Sequence, residues 1–260
     1  MRVTARKRFA IYRRELGYFF NSPVAYVVIT VFLVLAGYFF YNLLGYFNLA
    51  SMQVMQSPFQ ARSLRLTESV VQPLFGNLAV LLLLILPLLT MRLLAEERRA
   101  GTAEILFTCP VSDWDVILGK YFAALTVYAT MLAMTAVFPA LLARYAQPEP
   151  GPIVTGYLGL FLLGAAFIAM GLFFSSIGDN QVVAGVATFG CGLLFLLVGW
   201  VGPLVSPALA GVLSEISVLE HFASFAEGVV DTHDAIFYAG FVVCFLFLAA
   251  RVLESNRWRG

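Results

Sequence analysis

Six apolar stretches, at roughly 24–44, 73–94, 116–143, 153–175, 181–201 and 235–253, constrain this chain more than anything else in it. Each approaches the ~20 residues that carry an α-helix across ~30 Å of hydrocarbon. Between them the chain keeps its polar residues, so its mean hydropathy of +0.88 comes from blocks and not from an even apolar spread. A membrane β-barrel would instead alternate apolar and polar residues over ~10-residue segments. The expected fold class is therefore an all-α polytopic membrane protein, a single transmembrane unit over residues 1–260.

An even number of spans puts both termini on one side. Lys and Arg choose the side. Arg2, Arg6, Lys7, Arg8, Arg13 and Arg14 precede the first span. Arg92, Arg98, Arg99 and Lys120 lie around the second-to-third connection, and Arg251, Arg257 and Arg259 in the tail. The other side has Arg62, Arg65 and Arg144. The positive-inside rule then places both termini and the 92–115 connection in the cytoplasm. The run after Pro23 is too long for the core of a cleavable signal, and no A-x-A-like site follows it.

Before the first span, Phe9, Tyr12, Leu16 and Phe19 recur at helical spacing, with Arg6, Lys7, Arg13 and Arg14 mostly on the other side. This predicts an interfacial amphipathic helix, its apolar side in the acyl boundary and its cations towards headgroups.

The second-to-third connection is the anomaly. The chain is only 12% charged, yet Glu96, Glu97, Arg98, Arg99 and Glu104 crowd together there. A simple turn needs no such cluster; a charged surface helix gripped by a soluble partner explains it. Gly101 is placed to break the incoming helix, and Thr102 to cap a short new one. Pro110 ends that piece, and Ser112 followed by Asp115 resembles a capping box opening the third span. On the other side, residues 45–72 read as a polar, Gln-rich segment. Residues 202–234 lack Lys and Arg and read as short helices, partly re-entrant, after breaks at Pro203 and Pro207.

Several chemistries have no support. Lys120 follows Gly119, but position 114 is Trp, so no phosphate-binding loop is formed. No catalytic motif is present. The spans hold no ionisable group at mid-depth, which argues against proton or sodium coupling. Thr30, Asn77, Thr126, Thr130, Thr135 and Thr188 suit interhelical hydrogen bonds instead. Small residues in the fourth and fifth spans (Gly156, Gly159, Gly164, Gly171, Gly185, Gly192) suit close helix approach. Pro87 and Pro139 are expected to kink spans two and three. Cys109, Cys191 and Cys244 are too scattered for a disulfide framework or zinc site. Glu220, His221, Asp231, His233 and Asp234 match no closed metal site. The expectation there is a solvated acidic helix face with no metal. A net charge of +1 offers no nucleic-acid footprint.

The stretch LPLLTMRLLAEERRAGTAEILFTCPVSDWDVILGKY resembles the second-to-third-helix region of type-2 ABC exporter permeases. The similarity is greatest to the gliding-motility-type subfamily. RRELGYFFNSPVAYVV (13–28), YLGLFLLGAAFIAMGLFFSSIGDNQ (157–181) and HFASFAEGVVDTHDAIFY (221–238) resemble the same group. Permeases of copper-site maturation systems for nitrous oxide reductase are similar to a lesser degree. The resemblance implies six transmembrane helices, an N-terminal interfacial helix, a coupling helix between spans two and three, and re-entrant helices between spans five and six. It implies the permease subunit of an ATP-driven exporter in a bacterial inner membrane. The partners would be a separate ATP-binding subunit carrying ATP and Mg, and a second membrane subunit, identical or larger and related. The coupling role falls on Glu96, Glu97, Arg98, Arg99, Gly101, Thr102 and Glu104. Two rivals stay open: a membrane anchor or assembly component, and a secondary carrier. The substrate class stays open too.

Overall fold

The computed structural model describes residues 2–56, 65–99, 101, 112–145, 148–201 and 206–257. Among these residues the protein is helical throughout, with no strand. Six helical stretches are long and apolar enough to cross a membrane: Pro23–Met52, Thr67–Arg99, Asp113–Tyr145, Pro150–Ile177, Gln181–Val201 and Thr232–Ser255. All six predicted spans fall within them.

Helix α1 (Arg2–Asn21) precedes α2 (Pro23–Gln56), the first span. That span runs about three turns beyond the predicted boundary, because Tyr46, Phe47, Leu49 and Met52 keep the segment apolar. The expected polar loop at 45–72 is thus partly helix, and residues 57–64 lie outside the described ones. A π-helical turn, Thr67–Val71, leads into α3 (Gln72–Thr90). Pro87 sits inside α3, and its carbonyl accepts the Met91 N–H at 2.9 Å. A turn over 91–94 then opens α4 (Ala95–Arg99). Gly101 follows with a φ of 68°, a left-handed conformation that glycine adopts without a Cβ penalty. Thr102, Glu104 and Pro110 lie outside the described residues.

The third span is broken. Helix α5 (Asp113–Thr135) stops at Ala136, and α6 (Val137–Tyr145) continues from there. Pro139 sits in the first turn of α6, where the missing N–H costs no intrahelical bond. Ser112 caps α5 as its sequence suggested: its hydroxyl accepts the Asp115 N–H at 3.2 Å. Helices α7 (Pro150–Ile177), α8 (Gln181–Val201) and α11 (Thr232–Arg257) are the remaining spans. Between α8 and α11 stand α9 (Pro207–Ile216) and α10 (Val218–Glu227), bent by 72° at Ser217. Gly228, with a φ of 99°, closes α10.

Helix α7 is the hub. It packs on α3, α5, α8, α10 and α11. Its glycines permit this: a Cβ at Gly156 would overlap the Phe75 ring, at Gly164 the Tyr128 ring, and at Gly171 the Thr90 side chain. At Gly159 it would come within 2.6 Å of Phe225. Without a hydrophobic drive between helices in lipid, such close approach supplies the dispersion contacts that hold a bundle together. The small residues of α7 therefore serve contacts within the chain. The threonines behave differently from expectation. Thr126, Thr130 and Thr188 donate to carbonyls one turn back in their own helices. Thr135 and Thr126 also reach across, to the Tyr157 and Tyr12 hydroxyls, each at 3.1 Å. Outward faces of α2, α8 and α11 carry exposed Val34, Tyr38, Val183, Val186, Leu194 and Val243.

Candidate functional site

Helix α1 does not lie with its cations simply turned from the bundle. Its inward stripe is Arg8, Ile11, Tyr12 and Glu15, an i, i+3, i+4, i+7 face against α5. Arg8 pairs with Asp115. Ile11 lies over Gly119, where an added Cβ would come within 2.7 Å of its side chain. Tyr12 meets Thr126 at 3.1 Å. Leu16 and Phe19 are partly buried against the core, while Phe9 is 63% exposed and Arg13 is exposed. The stripe that meets α5 shares only Tyr12 with the predicted apolar side, because two of its four positions are charged and complementary to α5.

Glu15 leads to the centre of the site. Lys120, on the first turns of α5, is 1% exposed. Its Nζ lies 3.1 Å from Glu15 and 3.1 Å from Glu97. Arg14 closes the ring, at 2.7 Å from Glu15 and 2.6 Å from Glu97. Two cations and two carboxylates thus tie α1, α4 and α5 into one neutral cluster. Desolvation lowers the Arg14 guanidinium's affinity for its proton, but Glu15 and Glu97 outweigh that and hold its pKa above the ordinary value. An isolated buried ammonium would be very costly; this pairing is what makes a buried Lys120 possible.

Glu96 is engaged by a neighbouring set. The Tyr18 hydroxyl donates to it at 2.6 Å, and Arg92 lies 3.7 Å away. The bond to Glu96 raises the Tyr18 phenol above its usual range. Glu96 and Glu97 were expected to face a soluble partner. Within the chain Glu96 bonds to Tyr18 and Arg92, and Glu97 to Arg14 and Lys120. Arg98 reaches the Ile177 carbonyl at 3.4 Å, and Arg99 is exposed.

Ser175 fastens α4 to the end of α7. Its hydroxyl accepts the Leu94 and Ala95 N–H groups at 3.0 and 3.1 Å and donates to the Met91 carbonyl at 3.1 Å. These are backbone groups left open where α3 stops, and helix ends need such partners. A cavity of about 1020 Å³ opens between α1 and the facing ends of α2 and α3. Arg13, Tyr18 and Arg92 line it along with Val24, Val28 and Leu88.

Of the residues singled out in the sequence, Arg14, Glu96 and Glu97 meet in this assembly, with Tyr12 and Arg98 at its margins. Thr102 and Glu104 lie outside the described residues. Glu15, Tyr18, Ser175 and the burial of Lys120 were missed. A signal for Glu15 existed: it is the sole acidic residue before Glu68, in a helix otherwise rich in cations.

These features define a polytopic helical membrane protein with a charge-locked cluster of helices at one end of its bundle. A family profile described as "ABC-2 family transporter protein" matches residues 48–251, and the chain belongs to that family. The chain is also 30% identical over 135 residues to a probable multidrug ABC transporter permease, YbhR, of Escherichia coli K12, and equally to its counterpart in the O157:H7 strain. The aligned stretch covers 51% of this chain and 36% of the relative, so the chain spans about a third of that protein's length. The family is that of membrane permease components, generally non-catalytic.

Proposed function

We propose that this chain is the membrane subunit of an ATP-driven exporter in a bacterial inner membrane, of the gliding-motility-type subfamily. A separate ATP-binding subunit, with ATP and Mg, docks on the cytoplasmic segment 96–107. The observation that carries this reading is the neutral cluster of Glu15, Arg14, Glu97 and Lys120, in a chain of the ABC-2 family. A push on α4 cannot move that helix alone. The ion pairs pass it to α1 and to the third span, and Ser175 passes it to α7. Arg98 and Arg99 are the remaining charges of α4, available to the ATPase. Helix α1 then rests at the cytoplasmic interface of the bilayer, both termini are cytoplasmic, and α9–α10 form the outer re-entrant hairpin. The exposed apolar faces of α2, α8 and α11 meet lipid and a second membrane subunit.

The relative's name points to amphipathic, drug-like compounds as a substrate class. The uncharged mid-depth of the spans suits such cargo better than ions.

The test is purification from native membranes in mild detergent, scored for a co-purifying ATP-binding subunit. That subunit is expected with the wild type and lost with Arg98→Glu, with Tm unchanged. A protein that comes out alone, or transport that survives ATP depletion, would turn the assignment towards an anchor or a secondary carrier.

A further inference from the structure

At the end of the bundle opposite α1, three elements bring His221, His233, Asp234 and Glu215 together. His221 is on α10, His233 and Asp234 on the first turn of α11, and Glu215 near the end of α9. The sequence suggested a solvated acidic face. In the fold His221 is 6% and Asp234 8% exposed, because the α9–α10 bend lays α10 over the start of α11.

The hydrogen bonds assign the chemistry. His221 Nε2 faces the Glu215 main-chain carbonyl at 3.2 Å. A carbonyl only accepts, so Nε2 carries a hydrogen, and Nδ1 is the ring nitrogen turned towards Asp234. It lies 2.7 Å from Asp234 Oδ1. The other Asp234 oxygen already accepts the Ser224 hydroxyl. Both ring nitrogens of His221 and both oxygens of Asp234 are thus aimed at defined partners. His233 supplies a third donor atom to the same point: its Nδ1 is 3.7 Å from Asp234 Oδ1. One ligand atom from each of the three residues lies within 4.8 Å of the others.

We propose that His221, His233 and Asp234 bind a divalent transition-metal ion of the zinc type. Tetrahedral zinc with bonds of ~2.0–2.1 Å places its ligands about 3.3 Å apart. Two of the separations, 2.7 and 3.7 Å, lie on either side of that value, and all three ligand atoms lie within 4.8 Å, so they would close in on a bound ion. Two imidazoles and one carboxylate suit zinc, and leave a fourth position for water or for the Glu215 carboxylate, which now touches His233 Nε2 at 3.2 Å. Magnesium or calcium would demand oxygen ligands. The outer partners expected of a metal-bound histidine and carboxylate are in place. The Glu215 carbonyl sets the His221 tautomer, Ser224 orients Asp234, and the Phe237 ring stacks on His221 at 4.0 Å. A bound ion would clamp α10 to the last span.

The experiment uses the full chain, purified in detergent with a tag free of histidine, stripped with EDTA and titrated with Co²⁺. One Co²⁺ per chain with tetrahedral visible absorption, displaced by Zn²⁺, is expected. His233→Ala changes a side chain that is 59% exposed and leaves the fold intact. It should weaken binding by more than about 100-fold, against the ~10–100-fold typical for loss of an outer partner, here Ser224→Ala. Absence of stoichiometric binding, or equal binding by the His233→Ala protein, would overturn the site. A proton on His221 Nδ1 would then hold the pair together.

Discussion

The two ends of this bundle bury charge in different ways. At the α1 end, Lys120 is enclosed by carboxylates from two other helices, Glu15 and Glu97, with Arg14 completing neutrality. At the opposite end, His221, Ser224 and Asp234 lie within fourteen residues of one another and close a compact, local network. The first cluster joins parts of the chain that are remote in sequence, so it holds tertiary structure and can transmit a displacement. The second fixes one helical hairpin against its neighbour. Buried carboxylates join remote helices in one place and close a local network in the other.

Breaking each cluster should separate the two roles. The largest effect is expected from Lys120→Met, which leaves Glu15 and Glu97 with Arg14 as the one remaining cation of the cluster. The cost is about 3–5 kcal/mol, as for loss of one partner of a buried pair. Thermal unfolding in detergent measures it, and adding Glu15→Gln and Glu97→Gln should restore much of the loss. If Lys120→Met alone unfolds at the wild-type temperature, the cluster is not the linkage described. At the other end, Ser224→Ala removes a hydrogen bond to the Asp234 carboxylate and should cost about 1.5–3 kcal/mol in the same assay. Its effect should stay local: amide exchange rises over α9, α10 and the start of α11 but not over α1. Tyr18→Phe removes the bond to Glu96 and should cost only ~0.5–1 kcal/mol. On the proposed function, a second effect is expected on ATPase stimulation by the permease, because the bond that holds α4 to α1 is lost. Smallest of all is Glu254→Gln, which breaks an exposed pair with Arg251 and should change stability by less than about 0.5 kcal/mol. A double-mutant cycle for Lys120 and Glu97 beside one for Arg251 and Glu254 sharpens the contrast between buried and exposed pairing.

The pattern of success in the sequence reading follows from the range of each interaction. The six spans were legible because a helix in hydrocarbon must satisfy its backbone internally, so about twenty apolar residues are needed wherever one crosses. The Ser112 cap was legible because its bond closes within three residues. The α1 helix was legible, but its inward face was not. Apolar periodicity selected Phe9 for a lipid-facing side and passed over Arg8 and Glu15, which pair with Asp115 and Lys120 on α5. Lys120 was counted among the topology-setting cations although it is buried. Nothing local marks a lysine whose partners lie far away in the chain. Gly101 was read correctly as a helix breaker, while Thr102 and Glu104 lie outside the described residues.

By itself the sequence determined which six stretches are long and apolar enough to cross, roughly where they end, and which connection concentrates charge. These properties depend on hydropathy and on contacts a few residues long. Tertiary structure alone decided that Glu96 and Glu97 turn inward, that α7 is the hub, and that His221 and Asp234 are buried together. Those outcomes rest on which surfaces meet. Desolvation makes a buried charge costly wherever it lacks a partner, so the partner brought by another helix, and not the residue itself, settles where the charge can go.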